Sequence, residues 1–498
     1  MTNFCSDLVL YRRVLQMSII LGLGGTFLFG FQVSMINYTS PYIKKFINET
    51  WLERYNAPID EESLTLLWSF IVSAFGIGGL IGTFLSGYLP AKYGKKNCLI
   101  FCSVLMLATA VIMSTSKMAK SFEMILLGRL LYGLNAGLGC CIQGQYLGEI
   151  SPKHLRGLTN VTVGVLANLG KFLGQLSGLR ELLGTESLWP ILLATSGATG
   201  LVLLFTVPFF PETPPYLLIQ KGDLEGCLKA LNQLWGEGDH KAEVDDMLKE
   251  QASIKKAKIM NVLELLKDHS MRHQLCLLIV VGTTLSLSGV NAIYFYSSDV
   301  FYTSGLDPER ISYVALGAGA CELCSILICL FTIEHFGRRK MLLWGYGLMM
   351  LVLALLTATL SLQHHFFWMP YCNVALIFLF IIIFGSGPAG VTFPVIVELF
   401  TQSSRPAALV ISMGLHWTGL NLIGMFFPYV VNHLGTFCFL IFMGYIAVSW
   451  VLIFWFLPET KGKSLMEIQG EFNQLKMGKK KDTAIEKNSP EELMCTRL

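Results

Sequence analysis

The stretch 128–157, GRLLYGLNAGLGCCIQGQYLGEISPKHLRG, decides how the rest of the chain is read. From Arg129 to Gly148 it runs about 20 residues with no charge inside, enough to cross a ~30 Å hydrocarbon core as a helix. Arg129 opens the span, Glu149 closes it, and Arg156 follows the acid by seven residues. The same acid and base recur at Glu398 and Arg405, again seven apart. Two more motifs double in register. Gly94, Lys95 and Lys96 correspond to Gly337, Arg338 and Arg339, and Pro211, Glu212 and Thr213 to Pro458, Glu459 and Thr460. The separations are 243, 247 and, for the two acids, 249 residues, so the chain is two copies of one unit.

Composition agrees with a chain that lives in lipid. Hydrophobic residues make up 53% of 498 and charged residues 14%, well under the roughly 25% of a soluble domain. A net charge of +3 with scattered bases excludes a nucleic-acid partner, which needs a clustered basic face. Most of the thirteen cysteines fall inside apolar runs, as Cys102, Cys140, Cys141, Cys276, Cys324 and Cys329 do, and read as reduced helix residues rather than a disulfide framework. Arg12 and Arg13 precede a long apolar run without a small-residue cleavage site, so an uncleaved signal anchor is expected.

Hydropathy predicts six spans, near 14–36, 66–89, 98–117, 122–148, 159–179 and 188–210, and six more near 273–296, 311–333, 340–362, 369–397, 405–430 and 436–457. The expected class is an all-α membrane protein with twelve transmembrane helices in two pseudo-symmetric six-helix bundles. The expected divisions are 1–210 for the first bundle, 211–270 for a helical insert, 271–460 for the second bundle and 461–498 for a tail. Lys92, Lys95 and Lys96, Lys153 and Arg156, Arg338 to Lys340, and Arg405 place the basic loops on one face, which is expected to be cytoplasmic together with both termini and the insert. The opposite face carries the long first loop with the sequon Asn48, Glu49, Thr50, a candidate glycosylation site. Lys476, Lys479, Lys480 and Lys481 read as part of a solvated tail, with contact to anionic lipid as the alternative.

These motifs in this order resemble the sugar porter branch of the major facilitator superfamily, and within it the facilitative hexose transporters. The resemblance covers essentially the whole length. It rests on Gly128 and Arg129, Glu149 to Arg156, Pro211 to Thr213, Gly337 to Arg339, Glu398 to Arg405, and PETKG at 458–462. The segments ETWLER and TLLWS, with GLRELLG at 178–184, are most similar to the class II, fructose-type branch and its eleventh-member type.

The resemblance implies a major facilitator fold and uniport of a hexose, glucose or fructose, by alternating access, with no cofactor and no metal. Acids and bases on the cytoplasmic rims are expected to pair when that side closes and to part when it opens: Arg129, Glu149, Arg156, Glu212, Glu334, Arg338, Arg339, Glu398, Arg405 and Glu459. A neutral polyol needs amides, hydroxyls and an aromatic wall near mid-membrane. Asn291 falls on the family's sugar-binding Asn, and Tyr294, Phe295 and Tyr296 on its outer gate. Trp417 and Phe393 fall on the aromatic wall, and Gln32, Ser286 and His416 complete the expected lining. Where relatives carry paired Gln this chain has Leu285 and Ser286, and Gly164 and Pro215 replace an expected Gln and Arg.

Two charges stand at positions that line the cavity in relatives, Lys171 in the fifth span and Glu322 in the eighth. A charge at mid-helix costs about 2.5–3.5 kcal/mol on insertion scales, so both are expected to face the interior and to approach each other across the cavity. Such a pair reads either as a gate or as a site for a more polar substrate, which keeps a urate-like anion carrier as an alternative. A non-transporting sugar sensor is a second alternative, weakened by a tail of about 38 residues. Gln32 stands in the register where symporters of this family place an acid, which favours passive transport. An enzyme is not expected: GLGGTF at 22–27 and GIGGLIG at 76–82 lie inside spans, where small residues serve helix contacts. A monomeric functional unit is expected, in the cell membrane or that of an intracellular vesicle.

Overall fold

A backbone crossing lipid has to satisfy its own hydrogen bonds, and the described residues do so as helices with no strand among them. The computed structural model describes residues 12–151, 156–238, 240, 241, 244, 245, 247, 248, 260, 262–303, 305–363, 365–400, 404–461, 463, 467, 468 and 470.

Among the described residues twelve helical rods follow in order. In the first half, α1 is Arg12–Gly24 continued as Thr26–Tyr55, α2 is Glu61–Leu85, α3 is Lys95–Thr115 and α4 is Phe122–Ile150. Next come α5, Arg156–Ser177, and α6, Trp189–Ala194 continued as Ser196–Thr206. In the second half, α7 is Arg272–Leu287 continued as Val290–Phe295, α8 is Pro308–Phe336 and α9 is Arg338–Ser361. The last three are α10, Met369–Ser386 continued as Pro388–Leu399, then α11, Arg405–Leu434, and α12, Cys438–Phe456. Ten described stretches are long and apolar enough to cross a membrane. One of them holds both α11 and α12, while α5, which carries Asn168, Lys171 and Gln175, falls outside that set.

The first span is longer than expected. Ile43, Phe46, Ile47 and Thr50 are buried at helical spacing, so the amphipathic pattern carries α1 on to Tyr55. Asn48 therefore sits exposed on a helix rather than in a loop. Four rods expected to be continuous are broken among the described residues, α1 at Gly25, α6 at Thr195, α7 at Gly289 and α10 at Gly387.

Within the first half, glycines let backbones touch. A Cβ on Gly78 would lie 2.0 Å from the Leu130 carbonyl and one on Gly133 1.9 Å from that of Phe75, so α2 and α4 pack as closely as two helices can. GIGGLIG is thus a helix contact. Across the halves, α2 packs on α11 and α5 on α8.

The doubled motifs fold alike. Gly94 and Gly337 take φ of +89° and +83°, a left-handed turn that glycine adopts without strain, and each leads into a new helix. Glu212 accepts the N–H groups of Lys95 at 3.2 Å and Lys96 at 3.0 Å. Glu459 accepts those of Arg338 at 2.8 Å and Arg339 at 3.1 Å. A carboxylate at a helix N-terminus satisfies orphan donors and meets the positive end of the dipole, which explains why PET recurs.

Of the insert, Leu224–Trp235 is a helix capped by Asp223, whose Oδ1 accepts the Gly226 N–H at 2.8 Å, and Cys227, Leu231 and Val244 form a small core beneath it. Trp235 donates to the Ile150 carbonyl at 2.8 Å, fixing this helix to the end of α4. The tail lysines from Lys476 onward and the side chains of Arg156 and Glu334 lie outside the described residues.

Candidate functional site

Two buried charges meet between the halves. Lys171 on α5 is 7% exposed and Glu322, midway along α8, is 1% exposed, yet their Nζ and Oε1 lie 2.7 Å apart. Tyr294 on α7 donates its hydroxyl to Glu322 Oε2, and its ring centroid is 4.5 Å from the Lys171 ammonium. Each charge is therefore neutralised by its partner and further held by the tyrosine. A single partner left alone in that setting would carry an uncompensated burial cost of several kcal/mol. Ser34 on α1 donates to the Lys171 carbonyl at 2.8 Å and fixes the α5 backbone there.

A second group lies on α7 and α11. Ser286 Oγ is 2.8 Å from His416 Nδ1, and Asn291 donates to the Ser286 carbonyl at 3.0 Å. Trp417 meets Phe29 and Phe75 of the first half edge-on, each at 5.5 Å between centroids. Four buried polar atoms at this interface have no hydrogen-bond partner among the described residues: Asn168 Oδ1 and Gln175 Oε1 on α5, and Trp417 Nε1 and Asn421 Oδ1 on α11. They are the donor and acceptors that a polyhydroxylated ligand would satisfy.

Three expected residues stand elsewhere. Gln32 is turned into the first half, donating to Ser196 on α6 at 2.8 Å and accepting from Arg129 at 2.9 Å. Arg129 does not belong to the basic-rim clamp. It lies twenty residues before Glu149 on one helix, about 30 Å away, and bonds the Gln32 carbonyl at 3.0 Å over the Phe75 ring. Phe393 is 42% exposed and takes no part in the ring cluster around Trp417; the lower piece of α10 turns Val391, Val395 and Leu399 into the packing and Phe393 away from it.

Tyr294, Phe295 and Tyr296, expected at the outer gate, are all buried, with Tyr296 donating to the Gly424 carbonyl on α11 at 2.6 Å. Beyond them, on the sequon face, further ties cross between the halves. Asn37 donates to Ser298 Oγ at 3.0 Å and accepts its N–H at 3.2 Å, Tyr38 donates to the Ser312 carbonyl at 3.0 Å, and Tyr313 donates to Glu181. Tyr313's partner Glu181 has its carboxyl lowered, chiefly by that hydrogen bond. Sequence reading missed Asn37 and Tyr38 because it ended the first span at 36; Phe29 and Phe75 are hidden in apolar runs.

On the basic face two ion pairs each lie within one half. Lys95 meets Glu149 at 2.6 Å, and Arg338 meets Glu398 at 3.0 Å. Lys95, absent from the expected clamp, takes the place that Arg338 holds in the other copy. Arg339 donates to the Phe454 carbonyl at 2.7 Å and Arg405 to that of Val397 at 3.0 Å. Glu212 has its carboxyl raised by burial, an effect opposed by the N–H groups of Thr213, Lys96 and Lys95.

Both seams between the halves loosen toward this face. A Cβ on Gly319 would stand 1.9 Å from Gln175, but one on Gly164 meets nothing nearer than Ile326 at 3.7 Å. On the other seam, Gly76 and Gly79 would touch Asn421 at 2.5 Å and Trp417 at 2.2 Å, whereas Gly414 lies 3.8 Å from Leu80. The halves pack tightly against glycine backbone at the sequon end and only at ordinary side-chain contact distance toward the basic end.

The family described as "Sugar (and other) transporter" matches residues 17–472. The chain is similar to human "Solute carrier family 2, facilitated glucose transporter member 11", 40% identical over 93% of this chain and 95% of that one. It is similar also to "facilitated glucose transporter member 5" of Equus caballus, 38% identical over 92% and 91%. Among solved structures, the "Partially occluded inward open conformation of the xylose transporter XylE from E. coli" covers 91% of this chain and 100% of its own, with a TM-score of 0.75 at 19% identity, a likeness of fold.

Proposed function

The chain belongs to the sugar (and other) transporter family, and from that premise we propose that it moves a hexose, fructose or glucose, passively down its gradient by alternating access. It is a multi-pass membrane carrier and not an enzyme. The observation that carries the substrate reading is the set of unpartnered buried polar atoms, Asn168, Gln175, Trp417 and Asn421, set between the halves beside Asn291, Ser286 and His416. Amides and an indole N–H without ionic partners suit hydroxyl groups, which both donate and accept. Lys171 and Glu322 join that lining, Tyr294 to Tyr296 form the outer gate, and Phe393 meets the ligand only as the basic side closes.

Passive transport follows from Gln32. An amide does not ionise, so α1 offers no proton carrier at that register, and the bonds to Ser196 and Arg129 hold it inside the first half. The basic face is cytoplasmic with both termini, the sequon face is external with a glycan at Asn48, and the working unit is a single chain in the cell membrane. The division into bundles at 1–210 and 271–460, an insert at 211–270 and a tail at 461–498 makes each bundle one rocking body, with the pairs Lys95–Glu149 and Arg338–Glu398 on its inner rim.

The test is uptake of radiolabelled D-fructose and D-glucose into proteoliposomes holding the purified protein, with and without a proton gradient. Saturable uptake that only equilibrates, unchanged by the gradient, is expected. Accumulation driven by the gradient would overturn the passive reading, and absence of any hexose flux would overturn the substrate.

A further inference from the structure

A buried ion pair inside a sugar site poses a question that hydroxyl recognition alone does not answer. Lys171 and Glu322 come from opposite halves and lie in contact while the halves are packed together at the sequon end. When the halves part there, the contact is divided, and one wall then presents an ammonium and the other a carboxylate to whatever enters. These are the charged side chains among the lining residues described above, so the opened site remains neutral overall while holding one charge of each sign.

Resting on the hexose reading, we propose that Glu322 is the residue that keeps the carrier selective for uncharged sugars: it cancels Lys171 and repels any ligand carrying a carboxylate. An anion roughly 4 Å from both groups gains from one what it loses to the other, since the two Coulomb energies are equal and opposite at equal distance. It has still lost its hydration, and that loss is unreturned. A neutral hexose loses no ionic hydration and finds a donor on one wall and an acceptor on the other. The urate-like reading of Lys171 therefore fails in this chain for as long as Glu322 stands opposite it. Selectivity here comes from a repulsive element placed beside an attractive one.

The experiment compares D-glucose with D-glucuronate, the same ring bearing a carboxylate, in proteoliposomes of wild type, Glu322→Gln and the exchange Lys171→Glu with Glu322→Lys. Wild type is expected to move glucose at least about tenfold better than glucuronate, a ratio equivalent to about 1.4 kcal/mol. Glu322→Gln unmasks Lys171 and is expected to shift the ratio toward glucuronate by about tenfold or more. The exchange keeps both charges and is expected to keep the wild-type ratio. Should Glu322→Gln not fold, the exchange decides: an unchanged ratio supports the proposal and a gain of glucuronate overturns it. Wild type carrying glucuronate as well as glucose, or a Glu322→Gln protein that carries glucose with its ratio unmoved, also overturns it. In both cases hexose transport itself stands, whereas a wild type that moves neither solute would remove the hexose reading and this inference with it.

Discussion

Helices α4 and α10 occupy the same place in the two copies and differ where it matters. Both end in an acid seven residues before an arginine, and Glu149 and Glu398 each meet a base at the start of a neighbouring helix, Lys95 and Arg338. Between those ends the copies diverge. At the spacing of 249, Arg129 faces Phe378, Tyr132 faces Ile381, Asn135 faces Phe384 and Gln143 faces Thr392. α4 is one unbroken helix of 29 residues, whereas α10 breaks at Gly387. The polar residues of α4 act as bolts: Arg129 reaches α1 at Gln32, and Gln143 accepts the Thr26 N–H at 3.1 Å, bridging the break in α1. The mate of Gln143, Thr392, bonds the Pro388 carbonyl of its own helix at 2.8 Å. The repeat thus keeps its end chemistry and specialises its middle: α4 is bolted to α1 at two points, while α10 is broken at Gly387.

The largest expected effect breaks a bolt. Arg129→Leu removes a charged donor and leaves the buried Gln32 amide oxygen unpaired, and should cost about 2–3 kcal/mol in thermal unfolding in detergent. The mate substitution Phe378→Leu should cost about 1 kcal/mol. Equal losses would erase the contrast between the halves.

Next comes the bend in α7. Gly289 has φ of +96°, and a Cβ there would sit 3.0 Å from the Phe442 ring. Gly289→Ala should cost about 1–2 kcal/mol through the left-handed conformation alone and slow hexose uptake more than it weakens hexose binding. Uptake at the wild-type rate would remove α7 from the moving parts.

The shared ends give a smaller and sharper test. Glu149→Gln and Glu398→Gln lose pairs of nearly equal length and exposure, so each should cost about 1 kcal/mol, discounted for the partly exposed acids. The two losses should match and add in the double variant. The smallest effect concerns pH. The Glu212 carboxyl is raised above its ordinary 4.5 in the fold, so its contribution to stability is full below that value and is lost as pH rises through the folded one. Glu212→Gln should flatten the unfolding profile in that acidic window by a few tenths of a kcal/mol, read by thermal melts at stepped pH.

Much of this was legible from residues alone. The doubled motifs specified twin halves because Gly94, Gly337, Glu212 and Glu459 each do one local job that few other residues can do. Lys171 and Glu322 announced themselves because charge in a span is costly. What remained hidden was depth. Arg129 sits beside a glycine at a span end, yet only packing shows that it belongs far from Glu149. Gln32 is a good sugar ligand by type, and its commitment to Ser196 and Arg129 is a matter of three-dimensional neighbours. Asn37 and Tyr38 looked like loop residues because a polar pair ends an apolar run, although the buried face of Ile43, Phe46 and Ile47 carries the helix on.

The account rests on the halves separating at the sequon end in every transport cycle. Asn37 and Ser298, in contact across that seam, can be replaced together by cysteine and oxidised to a bridge confirmed by mass spectrometry. Hexose uptake should stop on oxidation and return on reduction, whereas uptake at the full rate through fully bridged protein would contradict the account.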